Sequence, residues 1–151
     1  MFSAMKKTLI QTLTLTTVLL GSIVIASAHC GSCGVDKKKG KDAIADVTMA
    51  DLKKAIADKK VVVIDVNGSK SYKKGHIPTA LDFQALGKDG LAKALPSDKG
   101  TMVVAYCGGP SCKAYMKGAK AAKELGYTDV HHFSGGISGW KKAGGDLEKS
   151  E

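Results

Sequence analysis

Residues 101 to 125 constrain the fold of this chain more than any other stretch. Thr101-Met-Val-Val-Ala-Tyr106 is a short apolar run with β-branched residues, the pattern of a buried strand. Cys107-Gly-Gly-Pro-Ser-Cys112 follows, then a Lys/Ala-rich segment with apolar or small residues at Ala114, Ala119, Ala122 and Leu125. That spacing predicts a helix, closed by Gly126. A strand joined to a helix by a Gly-rich turn sets backbone N–H groups and the positive end of the helix dipole at the turn, where they favour negative charge. A cysteine there is expected to ionise below the ordinary thiol value of about 8.5. Cys107 is therefore read as a nucleophilic thiolate facing an anion, and a strand end before glycines should expose it.

The rest of the chain repeats the alternation of strand and helix. Thr48 with Asp51 three residues on resembles a capping box, and Leu52 and Ile56 give one apolar face, so a helix is expected over 49–58. Val61-Val-Val-Ile-Asp65-Val66 is continuously apolar before its acid, as in a strand buried on both faces of a parallel sheet. Asp65 falls at the strand's C-terminal edge, where open α/β sheets bind ligands. Its expected role is to order the loop by accepting backbone N–H bonds. Asn67-Gly68-Ser69 is a turn. Ser71 to Lys74 reads as a helical turn ended by Gly75-His76-Ile77-Pro78. His76 is expected to bond backbone near the site, with general base as the alternative. Ala80 to Phe83 is a short strand, and Leu91 and Leu95 mark a helix stopped by Pro96. Asp129 to Phe133 is a further strand on which His131 and His132 alternate, one of them facing solvent. Ser134-Gly135-Gly136 leads to a last helical turn through Trp140, ended by Gly144-Gly145. Such alternation predicts an α/β fold, a central mostly parallel sheet with helices on both faces.

The 151 residues suffice for one domain, and 44% hydrophobic content suits a globular core. Aromatics are only 5%, so aliphatic residues must build that core. Residues 1–28 read as a signal peptide: Lys6 and Lys7, an apolar stretch, then Ala26-Ser27-Ala28 as a cleavage signature. The expected destination is the periplasm or the exterior, with no membrane contact after cleavage. Residues 29–46 form a Cys/Lys-rich flexible arm, 47–145 the domain, and 146–151 a C-terminal tail. Cys30 and Cys33 on the arm lack the strand and helix of a thioredoxin-type pair; a local disulfide, a redox or sulfur-relaying pair, and a metal site with His29 remain open. All 23 basic residues are lysine, so no guanidinium clamp exists. Removal of Lys6 and Lys7 takes the net charge from +9 to +7. Without aromatic-basic interleaving this reads as a solvated lysine surface that draws in small anions, not as a nucleic-acid surface.

Val62-Val-Ile-Asp65-Val66, Gly75-His-Ile-Pro78, Val103-Val-Ala-Tyr-Cys107, Glu124-Leu-Gly-Tyr127 and Phe133-Ser-Gly-Gly-Ile137 with Trp140 occur in an order and spacing that resemble a single-domain rhodanese from about Val47 to Gly145. The resemblance implies a rhodanese-like fold and Cys107 as the persulfide-forming residue of a sulfurtransferase. It implies a thiosulfate-like anion as donor, a thiol or cyanide as acceptor, and no cofactor or metal. The persulfide would rest on N–H groups of Gly108, Gly109, Ser111 and Cys112, with Lys113 as a point charge near the mouth. The chain departs from the family pattern at Asn67, where Arg is frequent, at Thr79, where Gly is frequent, and at Cys112-Lys113, where the loop often carries Arg. Cys112 is open to three readings: a packed residue, a resolving partner of Cys107, or a sulfur relay. A non-catalytic persulfide carrier or thiol-redox module that uses Cys107/Cys112 and Cys30/Cys33 with a partner protein is the alternative function. A related phosphatase is disfavoured, because its phosphate-clamping Arg position holds Lys113.

Overall fold

The computed structural model describes residues 44–150. The leader, His29, Cys30 and Cys33 lie outside the described residues. The strands are β1 (Ala45–Asp46), β2 (Val61–Asp65), β3 (Leu81–Asp82), β4 (Met102–Tyr106) and β5 (Val130–Phe133). They form one sheet in the order β1-β5-β4-β2-β3, every neighbouring pair parallel. Between and after them come α1 (Met49–Ala57), α2 (Ser69–Lys74), α3 (Phe83–Ala94), α4 (Tyr115–Glu124) and α5 (Gly136–Lys142). The expected α/β fold with a parallel sheet is therefore the fold observed.

The central strand β4 shows why both faces are covered. Its residues alternate: Val103 and Ala105 belong to one core with Ile64, Leu91, Ala119 and Tyr127, while Val104 and Tyr106 belong to the other with Leu52, Val63, Ile77 and Trp140. On the first face the fully buried residues of α4 are all small: Gly118, Ala119, Ala121 and Ala122. A Cβ on Gly118 would lie 2.9 Å from Val66 Cγ2, so the helix sits as close as its backbone allows. On α1 the expected cap is present: Thr48 Oγ1 accepts from Asp51 N at 3.2 Å.

Three boundaries differ from expectation. Ala45–Asp46 is not arm but the edge strand β1, paired with His131 and His132. Asp46 Oδ1 and Oδ2 accept from Ser134 N and Oγ at 2.8 and 2.6 Å. Phe83 ends no strand; Asp82 caps α3 by accepting from Gln84 N and Ala85 N, and Gly87 at φ 60° kinks the helix before its predicted Leu91 half. The tail is docked as well. His76 and Glu148 exchange backbone hydrogen bonds of 2.9 and 3.0 Å, and Trp140 Nε1 donates to Asp146 O at 2.7 Å. Glu148 also accepts from the N–H of Thr79 at 2.9 Å. Thr79 has φ +66°, a conformation that suits glycine better, so the tail helps hold that turn.

The C-terminal ends of β2 and β4 are tied by a buried polar group. Asp65 is 1% exposed. Its Oδ1 accepts from Asn67 N and Nδ2, both at 2.7 Å, and its Oδ2 from Tyr106 OH at 2.6 Å. The same hydroxyl accepts from Ile77 N at 3.0 Å. Burial first, then the Asp65 carboxylate, raises the Tyr106 phenol well above its ordinary value. A tyrosine raised in the folded state keeps its proton after the unfolded chain has lost it. Its stabilisation is therefore complete below about pH 10 and lost as pH rises beyond. Tyr106→Phe is expected to cost about 1–3 kcal/mol at neutral pH in denaturant unfolding, because Asp65 loses a donor and Ile77 N–H its acceptor. The loss of stability above pH 10 should then be steeper in the wild type than in Tyr106→Phe.

Candidate active site

The loop after β4 starts at Cys107 and ends at the N-cap of α4, Ala114, which offers no side-chain cap. The first N–H groups of α4 are thus free to meet something in the loop. Those groups meet sulfur. The N–H groups of Tyr115 and Gly109 act to lower the Cys107 thiol, and those of Ala114 and Gly108 to lower the Cys112 thiol. The two thiols also influence each other's ionisation.

The loop's own chemistry explains this convergence. Cys112 N donates to Gly109 O at 3.0 Å, closing a turn over Gly109-Pro110-Ser111-Cys112 with proline at its second position. The turn folds Cys112 back over Cys107, whose Sγ approaches Cys112 O at 3.2 Å. Cys107 is consequently 2% exposed, not open to solvent as its strand-end position suggested. The expected easy ionisation of Cys107 is also overturned. Burial, and then the neighbouring Cys112, raise its thiol; the two N–H groups only partly offset this. Cys112 moves the other way, lowered by the hydrogen bond from Cys107 and the N–H of Ala114. The loop therefore holds a sulfur pair that titrates as a unit.

The cradle's membership changes accordingly. Gly108 and Gly109 lie among the residues whose N–H groups act on the two thiols. The N–H of Cys112 is spent on the turn, and Ala114 and Tyr115 serve in its place. No N–H contact to either sulfur comes from Ser111. Lys113 is exposed and makes no ion pair among the described residues. Asp65 ties Asn67 and Tyr106 together at the base of the loop. His76 is 3% exposed, stacks on Tyr72 at 3.7 Å, and has Nδ1 2.9 Å from Tyr72 O and Nε2 3.7 Å from Glu148. Both ring nitrogens thus face away from the loop, which leaves His76 a structural histidine and not a base for Cys107. His131 Nε2 lies 2.7 Å from Asp129, while His132 stacks on Tyr115 at 4.2 Å, behind the cradle.

Two contributors were not read from the sequence. The first is the start of α5. Ile137 N donates to Cys107 O at 2.9 Å, Ser138 N to Gly108 O at 3.1 Å and Ser138 Oγ to Gly108 O at 2.6 Å. Gly136 makes this possible: at φ +56° a Cβ would lie 2.6 Å from Gly109 N. The signal was the Gly-Gly-Ile run, which marked a turn but not what the turn touches. The second is a cleft of about 280 Å³ lined by Asn67, Lys74, Gly108, Ser138 and Lys141. It puts lysine charge beside the loop from α2 and α5, helices whose packing the sequence did not disclose. Asn67, at the frequent Arg position, spends its amide N–H on Asp65.

Gly136→Ala is expected to cost about 1–3 kcal/mol in denaturant unfolding from its φ alone, with the overlap in addition. In iodoacetamide labelling followed peptide by peptide at neutral pH, Cys112 should react about tenfold or more ahead of Cys107. Residues 48–143 match the family model described as a rhodanese-like domain. Among solved structures, the BH2092 protein of Bacillus halodurans is 29% identical at a TM-score of 0.59, over 70% of this chain and 77% of that one. The human single-domain sulfurtransferase TSTD1 is 21% identical at a TM-score of 0.53, over 66% of this chain and 97% of that one. SseA of Escherichia coli, described with a rhodanese fold, is 21% identical at 0.58, over 72% of this chain but 51% of its own length. With the match covering most of the parallel sheet and the whole Cys107 loop, this chain belongs to the rhodanese-like family.

Proposed function

We propose that this protein is a sulfurtransferase that carries a sulfane sulfur on Cys107. The observation that supports it most directly is the placement of Cys107: a cysteine at the end of the central strand, in a loop that runs into the uncapped start of α4, with N–H groups of Gly109 and Tyr115 favouring its ionised form. N–H groups fixed before reaction stabilise negative charge on sulfur without reorganisation. The donor is a small sulfur-bearing anion such as thiosulfate, drawn in by a lysine-rich surface and by Lys74 and Lys141 in the cleft at Gly108.

The chemistry begins with a proton. The Cys107 thiol must lose the proton it donates to Cys112 O, and the Cys112 thiolate of the same loop takes it. The Cys107 thiolate attacks the outer sulfur of the donor; the donor's S–S bond breaks and sulfite leaves with its electron pair. An acceptor thiol or cyanide then attacks the outer sulfur of the persulfide and restores the thiolate. The thiol pair itself favours a second reading, a non-catalytic carrier or redox partner that exchanges sulfur or disulfides with another protein. Residues 1–28 are proposed to export the chain, which would place these thiols where thiols oxidise.

The test is intact mass after incubation of the reduced chain with thiosulfate. Wild type quenched at short times is expected to show one added sulfur, which cyanide added at that point removes. Cys107→Ser should gain none. An undiminished adduct in Cys107→Ser overturns the assignment, and an adduct that passes only to a protein thiol, with no small-molecule turnover, favours the carrier.

A further inference from the structure

A sulfur loaded onto Cys107 finds a second nucleophile already in place. The turn at Gly109-Pro110-Ser111-Cys112 lays Cys112 over Cys107, with Cys107 Sγ 3.2 Å from Cys112 O. Cys107 is 2% exposed, so a molecule from solvent meets the outer sulfur of a persulfide, while the inner one is shielded. The Cys112 carbonyl touches that inner sulfur, and Cys112 is itself partly exposed. Neither hydrophobic core includes Cys112, so packing does not explain its position. We infer that Cys112 resolves the Cys107 persulfide by attack on Cys107 Sγ, which releases hydrosulfide and leaves a Cys107–Cys112 disulfide.

The inference rests on the persulfide reading of Cys107, and its atoms and electrons balance without an oxidant. The Cys112 thiol passes its proton to the outer sulfur. The Cys112 thiolate then bonds to Cys107 Sγ. The bond from Cys107 Sγ to the outer sulfur breaks, and its electron pair departs with that sulfur as HS⁻. The sulfane sulfur is reduced to sulfide while two thiols are oxidised to a disulfide. Attack is easier when the leaving group is weakly basic, as hydrosulfide is beside an alkyl thiolate. Exposure supports the direction of attack, because Cys112 is the partly exposed partner and Cys107 the buried one. Renewal of the dithiol needs a dithiol reductant, which enters at Cys112, the more exposed sulfur of the disulfide. The net reaction then converts a thiosulfate-like anion and a dithiol into sulfite, hydrosulfide and a disulfide. Without the reductant the site stops after one turnover in a closed, disulfide form.

The test uses the full chain with Cys30→Ser and Cys33→Ser, so that the loop holds its only thiols. The reduced protein is mixed without oxygen with one equivalent of thiosulfate, and in a parallel sample with inorganic polysulfide. Acid-quenched aliquots are followed by intact mass, peptide mapping and sulfide assay. The expected course is a transient single-sulfur adduct, then one hydrosulfide per chain and a mapped Cys107–Cys112 disulfide. Adding Cys112→Ser should lengthen the life of the adduct about tenfold or more and abolish hydrosulfide release. An adduct that persists equally in both chains, with no disulfide, overturns the resolving role and leaves the persulfide reading standing. If neither donor loads Cys107 in either chain, the persulfide reading falls and the resolving role with it. The disulfide map of the chain with Cys112 intact decides the question even if Cys112→Ser folds poorly.

Discussion

Asp65 is a carboxylate taken almost wholly out of water, and such a group is stable only where fixed donors replace the water it lost. Its replacements come from both sides of the site. Asn67 belongs to the turn after β2, and Tyr106 is the last residue of β4 before Cys107. Tyr106 passes the constraint to Ile77 N–H, beside His76, and His76 carries it to the C-terminal tail through Glu148. One carboxylate thus fixes the ends of two neighbouring strands, the turn at 75–79 and the docking of the tail. Substituting any of these donors leaves a charge buried with too few partners, and the position of the loop after Tyr106 depends on that network.

The loop itself is held from the other side by α5, and the hold depends on Gly136. With no Cβ, the chain there approaches Cys107 O and Gly109 N closely enough for Ile137 and Ser138 to bond the carbonyls of Cys107 and Gly108. Those carbonyls are turned to α5, so the N–H groups of the same planar peptides point the other way. The orientation of the cradle is therefore a consequence of where its carbonyls go. The free N–H groups at the start of α4 complete it. Electrostatics alone would favour an ionised Cys107 there, yet burial dominates, because Cys112 covers it from solvent.

Much of this was legible in the sequence, because the signals were periodic or positional. Val61–Asp65 and Met102–Tyr106 were apparent as continuous apolar runs, and the alternation with helices gave the parallel sheet. Thr48 announced the start of α1 through its spacing to Asp51. Asp65 was recognisable as a loop-ordering acid from its place at a strand end. What escaped were contacts between segments far apart in the chain. A strand of two residues, Ala45–Asp46, carries no periodicity, and the neighbouring lysines gave it the look of a linker. The tail from Asp146 reads as polar, but its backbone pairs with His76. Lys74 and Lys141 meet at one cleft only because α2 and α5 do. The raised thiol of Cys107 was illegible for the same kind of reason: helix-dipole reasoning weighs the loop's N–H groups and cannot see what lies on top of the sulfur.

Pro110 shows how the loop's composition suits a pair of sulfurs better than a single one. A proline removes an N–H from a loop whose N–H groups are its chief means of holding an anion. In return its fixed φ sets the turn that closes with Cys112 N on Gly109 O, a bond that withdraws a second N–H from the cradle. A loop selected only to surround one thiolate with donors has no reason to give up both. The exchange makes sense if the position of Cys112 matters more than two further donors, since the turn is what brings its sulfur onto Cys107. The absence of arginine points the same way. With no planar fork to grip an oxyanion, the proposed chemistry would rest on lysine point charges at the rim of the cleft and on backbone N–H groups of the loop.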